Sequence, residues 1–231
     1  FNKAVGDALK DLHHCQISFL KPNQMRYFLI ICCFFGLTNF SIGQEKLSDS
    51  KAFRKTFSEA EIQDLQLLFD FFNRSICSHD SYPNLTECYQ SFFKQVEETL
   101  ERNDLQLPIP YDFQKEVYAQ ISDSTFYQIW TVEGREVFSD FPLDTFRLAS
   151  INPKGKFVKF LKRAGKKDKE LKRYYETFRA AGDLTPSMIA GLLVNHDLYT
   201  IADLQVKFVV AIHYLTLNDR FNRREKVKIE M

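Results

Sequence analysis

His213, His196 and Asp219 are the side chains of this sequence best placed by type to move a proton or hold a metal. His213 stands in the middle of an apolar stripe. Burial moves an imidazole pKa and sets it against a partner, which is how a general base or a ligand is made. The same pattern describes a core histidine bonded to a neighbouring hydroxyl or carbonyl, and the rule that buried polar groups are paired makes this plainer reading the expectation. His196 and Asp197 fall where a helix closes, and a cation at the carbonyl end of a helix acts as a cap. With Asp219 these residues can form a polar cluster near helix ends. Their spacing matches no zinc pattern such as H-E-x-x-H, so neither a metal site nor a cofactor is expected. An envelope hydrolase or metal-dependent enzyme centred on His213 and His196 stays as the alternative to a binding protein.

A second candidate is basic. Residues 154–173 hold ten Lys or Arg against Asp168 and Glu170 alone. Lys159, Lys162, Arg163, Lys166 and Lys167 form a candidate anion-binding face for lipid headgroups, acidic polysaccharide or a partner protein of the envelope. Phe157, Phe160, Tyr174 and Tyr175 interleave with these cations at helical spacing and are assigned to the core. A merely solvated face is the plainer alternative, because acids elsewhere balance the charge. The whole chain carries 31 Lys and Arg against 30 Asp and Glu, net +1, which does not call for nucleic acid. No phosphate loop, G-x-S-x-G elbow or S-x-x-K is present. Glu97, Glu98 and Glu101 read as a solvated helix face. Asn73-Arg74-Ser75 and Asn84-Leu85-Thr86 are glycosylation sequons.

Compartment is read from residues 25–43, which have the parts of a secretory signal: Met25 and Arg26, an apolar run over 27–40, and a short exit ending in Ser41-Ile42-Gly43. Cleavage is expected between Gly43 and Gln44. The apolar run falls short of the roughly 20 residues that cross a bilayer core, and no span is expected in the mature chain. Residues 1–24 begin with Phe and show no clean period, so they are read as translation upstream of the true start or as a gene fragment. The expected location is secreted or periplasmic, with a leaning towards a bacterial envelope. Of five cysteines, Cys15, Cys32 and Cys33 precede the mature chain. The remaining pair, Cys77 and Cys88, is expected to form a disulfide worth roughly 3 kcal/mol in the chain-entropy model.

The elements that must position these residues are mostly helical. A single all-α bundle of about six to eight helices is predicted over 58–219, after a linker at 44–57 and before a charged tail at 220–231. Ser58 and Glu61 form a capping box, followed by Ile62, Leu65, Phe69, Phe72 and Ile76 on one face. Leu85, Cys88, Phe92, Val96 and Leu100 make a second amphipathic helix, so the disulfide would staple an αα-hairpin. A short helix on Phe113, Val117 and Ile121 comes next. Residues 125–138 are read as helix in preference to a small β-hairpin, because Glu133-Gly134 is a weak hairpin turn. Helices then follow on Phe157, Phe160, Leu161 and Ala164, on Leu171, Tyr174, Tyr175 and Phe178 with Gly182 as cap, and after Thr185-Pro186. Thr200 and Asp203 resemble another capping box. The helix they open, 204–217, is apolar on two stripes, belongs at the centre of the bundle, and is ended by Asn218-Asp219.

Overall fold

The structure, a computed structural model, describes residues 45–77, 84–101, 106–137 and 144–223. The expected leader, signal, Gly43/Gln44 junction and most of the charged tail lie outside the described residues. Among them are nine α-helices and one two-stranded sheet: α1 (Lys51–Arg54), α2 (Glu59–Ile76), α3 (Leu85–Glu101), α4 (Tyr111–Gln120), α5 (Asp123–Ile129), β1 (Trp130–Val137), β2 (Asp144–Ile151), α6 (Lys156–Ala164), α7 (Lys169–Ala181), α8 (Pro186–Val194) and α9 (Leu204–Asn222). No helix of the described residues is long and apolar enough to cross a membrane.

Local chemistry explains most boundaries. The Ser58 hydroxyl accepts from the Glu61 N–H, and the Ser58 N–H donates to the Glu61 carboxylate at 2.7 Å, closing the capping box of α2. Thr185 caps α8 with Pro186 at its first position, and Gly182 ends α7 at φ 78°, a left-handed conformation that favours glycine. Cys77 caps the end of α2 and bonds to Cys88 in the first turn of α3, with Cα atoms 5.5 Å apart. The cap of α9 is Asp203 alone, whose carboxylate takes the Gln205 N–H. Thr200 contributes only its carbonyl, accepting from the Asp203 N–H.

The helix α9 is the axis of the core, with every residue from Val206 to Asp219 buried. A helix that is apolar most of the way round has no face to give to water, so other elements must surround it. Phe208 packs edge-on to Phe53 at 4.9 Å and to Phe160 at 5.5 Å, while Tyr214 meets Phe92 at 4.7 Å. Edge-to-face geometry of this kind satisfies the aromatic quadrupoles. Trp130 lies against Tyr118 and Phe126 and donates its indole N–H to Thr216 at 2.8 Å.

Three expectations need correction. Residues 125–138 are not one helix: α5 ends at Ile129 and β1 begins at Trp130, so the fold is mostly helical with a small antiparallel sheet. The sheet is also not a tight hairpin about Glu133-Gly134, because Gly134 is a mid-strand residue opposite Arg147 in a register running from Trp130↔Ile151 to Val137↔Asp144. Of the expected linker 44–57, the described residues 45–57 are packed, with Leu47 and Phe53 fully buried and Gln66 holding both the Glu45 carbonyl and the Leu47 N–H. Finally, Asn218-Asp219 does not end the last helix, which continues to Asn222. Its outer turn is held by β2: the Ala149 N–H donates to Asp219, and the Ala149 carbonyl accepts from Arg220 at 3.1 Å. Two smaller departures are the exposed Leu100, near the end of α3, and the exposed Phe113, since α4 turns Gln114 and Val117 inward instead.

Candidate functional site

His213 has no exposed surface, and its Nδ1 lies 2.9 Å from the Tyr174 hydroxyl. Burial, with a smaller contribution from the nearby Arg220 guanidinium, lowers its pKa to about 3. The imidazole is therefore neutral near pH 7, sealed under α7, and matches a hydroxyl-paired core histidine. His196 lies elsewhere, on a one-turn 3-10 helix (His196–Leu198), with its ring edge-on to Phe93 at 4.8 Å and its Nδ1 3.0 Å from the Asp197 carboxylate. The capping role expected of it belongs to Asn195, whose side-chain amide donates to the Gly191 carbonyl. His196, Phe93, Gln90, Thr86 and Tyr199 line an open groove of about 490 Å³. No hydrogen bond or ion pair among the described residues joins His196 to His213. Asp219 joins neither histidine: it is fully buried, accepts from Nε and Nη2 of Arg223 at 2.8 and 2.7 Å, and receives the Ala149 N–H. Among the described residues no group of three or more His, Cys, Asp or Glu side chains could hold a metal ion.

The basic run is divided by the way α6 packs. Its apolar positions Phe157, Phe160, Leu161 and Ala164 face the core, which leaves the cations on different flanks. Arg163 turns towards α1, donating to the Lys55 carbonyl and the Thr56 hydroxyl. Lys166 and Lys167 are exposed in the turn between α6 and α7. Lys156 reaches back to Glu61 at 2.6 Å. Burial pushes the Glu61 carboxyl up, but the Lys156 ammonium and the Ser58 donors outweigh it and hold the group below its ordinary value.

Lys159 and Lys162 are brought together with Lys154, which opens the basic run, and with Arg179, which lies outside it. The four line a groove of about 350 Å³ between α6 and α7, floored by Val158 and Phe178 and flanked by Tyr175. Gly155, at the start of α6, lies against the end of α5, where a Cβ would stand 2.2 Å from the Gln128 carbonyl oxygen. Among the described residues no acidic side chain lines the groove. Among the described residues Lys154, Lys159 and Lys162 make no ion pair, and Arg179 is joined to Tyr175, whose hydroxyl accepts from Nη1 at 3.3 Å with the guanidinium 6.0 Å from the ring centroid. Cations on other faces of the same two helices do have partners: Lys156 with Glu61, Lys172 with Glu176 and Arg173 with Glu170. Tyr175 is half-buried rather than core, since Tyr174 one residue earlier takes the inward position. Its i, i+4 spacing to Arg179 is the sequence signal that could have found the far wall of the groove.

Comparison with protein-family models, with curated proteins and with solved structures finds no match.

Proposed function

We propose that this chain is an exported helical binding protein that recognises anionic groups in the groove between α6 and α7. One observation carries the reading: four cations converge on a concavity without a carboxylate to neutralise them, while their neighbours on the same helices are paired. Like charges held together in a partly enclosed space raise the local potential and concentrate counter-ions, so the groove is poised to exchange them for a ligand. Export is supported by the signal-like residues 25–43 and by a disulfide, a bond that persists in oxidising compartments. In this reading α2 and α3, joined by Cys77–Cys88, form the stapled hairpin of the fold, and the setting is secreted or periplasmic, facing anionic lipid, acidic polysaccharide or an envelope protein.

The test is retention on polyanion-coated beads across a salt series, comparing the parent chain with the double variant K159E/K162E. Retention that falls steeply with salt, and that the variant loses, is expected because screening at 0.15 M acts over about 8 Å. Retention indifferent to salt or to the two lysines would remove the proposal. Non-reducing mass spectrometry and N-terminal sequencing of protein from the native source test export; free thiols at Cys77 and Cys88 in an unprocessed cytosolic form would oppose it. A second reading, acid–base chemistry at His196, rests on its 3.0 Å approach to Asp197 in an open groove. A search for hydrolytic activity that H196A abolishes decides that case.

A further inference from the structure

Resting on the anion-binding reading above, we infer that the occupant of the groove between α6 and α7 is an acidic oligosaccharide, bearing carboxylate or sulfate groups, rather than a lipid surface. The cations approach from both walls, Lys159 and Lys162 from α6 and Arg179 from α7, with Lys154 at one end. A ligand that satisfies them must therefore carry negative charge on more than one side and be thin enough to enter a concavity of about 350 Å³. A membrane presents its charge as a plane.

The aromatic residue favours a sugar as well. Tyr175 is half-buried beside the groove, with Arg179 above its ring at 6.0 Å. An anionic substituent that pairs with the guanidinium brings the carbon framework carrying it against the tyrosine and the Val158 and Phe178 floor. A sugar ring has what this requires: apolar C–H faces bordered by acidic groups and hydroxyls. The guanidinium fork also suits planar, bidentate recognition of a carboxylate.

The distribution of exposed apolar side chains argues against a bilayer. Peripheral helices that bind membranes place Trp, Phe or Leu next to the cations so that one face sinks into the headgroup layer. The exposed large hydrophobics of the described residues are Leu67, Leu100, Phe113, Tyr127, Val194, Leu198 and Phe221, and none lies on α6, on α7 or in the turns that shape the groove. The apolar face of α6 is already used, with Phe157 and Phe160 packed on Phe208. Among the described residues, α6 and α7 expose no large apolar side chain that could insert.

The experiment is calorimetric titration of the full chain with a heparin-derived hexasaccharide, beside neutral maltohexaose and inorganic phosphate, together with co-sedimentation on phosphatidylglycerol and phosphatidylcholine vesicles. The hexasaccharide is expected to bind and maltohexaose is not. R179A and K159E/K162E are each expected to weaken the hexasaccharide at least about tenfold, the loss of roughly one charge-assisted contact. These side chains are exposed, so the variants keep the fold, which circular dichroism verifies. If the phosphatidylglycerol vesicles bind beyond the phosphatidylcholine baseline, lose that excess in K159E/K162E, and the hexasaccharide does not bind, the sugar inference falls while the anion-binding reading stands. Phosphate binding as tight as the hexasaccharide overturns the sugar inference in the same way. Equal binding of maltohexaose, or no binding of any anion, overturns both.

Discussion

Charge is handled in opposite ways in two regions of this protein. Along α9 and its surroundings ionised groups are buried or part-buried and matched: Lys207 with Glu45 at 2.5 Å, Asp219 with Arg223 at 2.7 Å, and Arg220 with Asp183. In the groove between α6 and α7 the cations are exposed and unmatched. The difference follows from solvent. A charge taken out of water needs a partner, and removing one partner strands the other, whereas a charge at the surface is stabilised by water or by whatever displaces the water. Pairing therefore marks structure here, and its lack marks availability.

The sharpest way to break this comparison is D219A, which removes the buried carboxylate that Arg223 pairs with and leaves the Ala149 N–H without its acceptor. A loss of about 3–5 kcal/mol in unfolding free energy is expected by urea denaturation. A loss below about 1 kcal/mol would mean the inner network is no more structural than the groove.

The disulfide comes next. C77A/C88A is expected to cost about 3 kcal/mol, read from the same denaturation curves.

A pH effect tests whether an inner titratable group is unavailable. The His213 pKa is lowered from 6.5 to about 3 by burial and then by Arg220. The unfolded chain therefore binds the proton more readily, and stability is complete above about pH 6.5 and declines as the pH falls from there towards 3. The expected slope is about 1.4 kcal/mol per pH unit within that window. His213→Leu should flatten it, and a variant with an unchanged slope would show that other groups produce the decline.

The smallest effect belongs to the groove. K159E/K162E is expected to change stability by no more than about 0.5 kcal/mol while altering anion retention. A destabilisation near that of D219A would erase the distinction between the two regions.

Local signals in the sequence were readable where one segment alone decides the outcome. Ser58 with Glu61, Thr185 before Pro186, and Gly182 each fix a helix end within a few residues, and the near-continuous apolar run after Leu204 marks the central helix without any partner in view. The sheet was not readable in this way. Gly134 looks like a turn until Arg147 is placed opposite it, and β1 is a strand because β2 lies beside it. Asp219 and Arg220 look like the solvated end of a helix for the same reason, since their partners at Ala149 and Asp183 are far away in sequence. The basic run showed density but not direction. Only the packing of α6 separates Arg163 from Lys159 and Lys162, and only the neighbouring α7 adds Arg179.

The clasp between Ala149 and the last turn of α9 has a consequence for how the protein behaves among its own copies. A strand with an open N–H and carbonyl is a template on which another strand can add, and here Asp219 and Arg220 occupy both groups at that position. A chain cut short before Asp219 would uncover this rim, and polymerisation into cross-strand aggregates would become its characteristic failure.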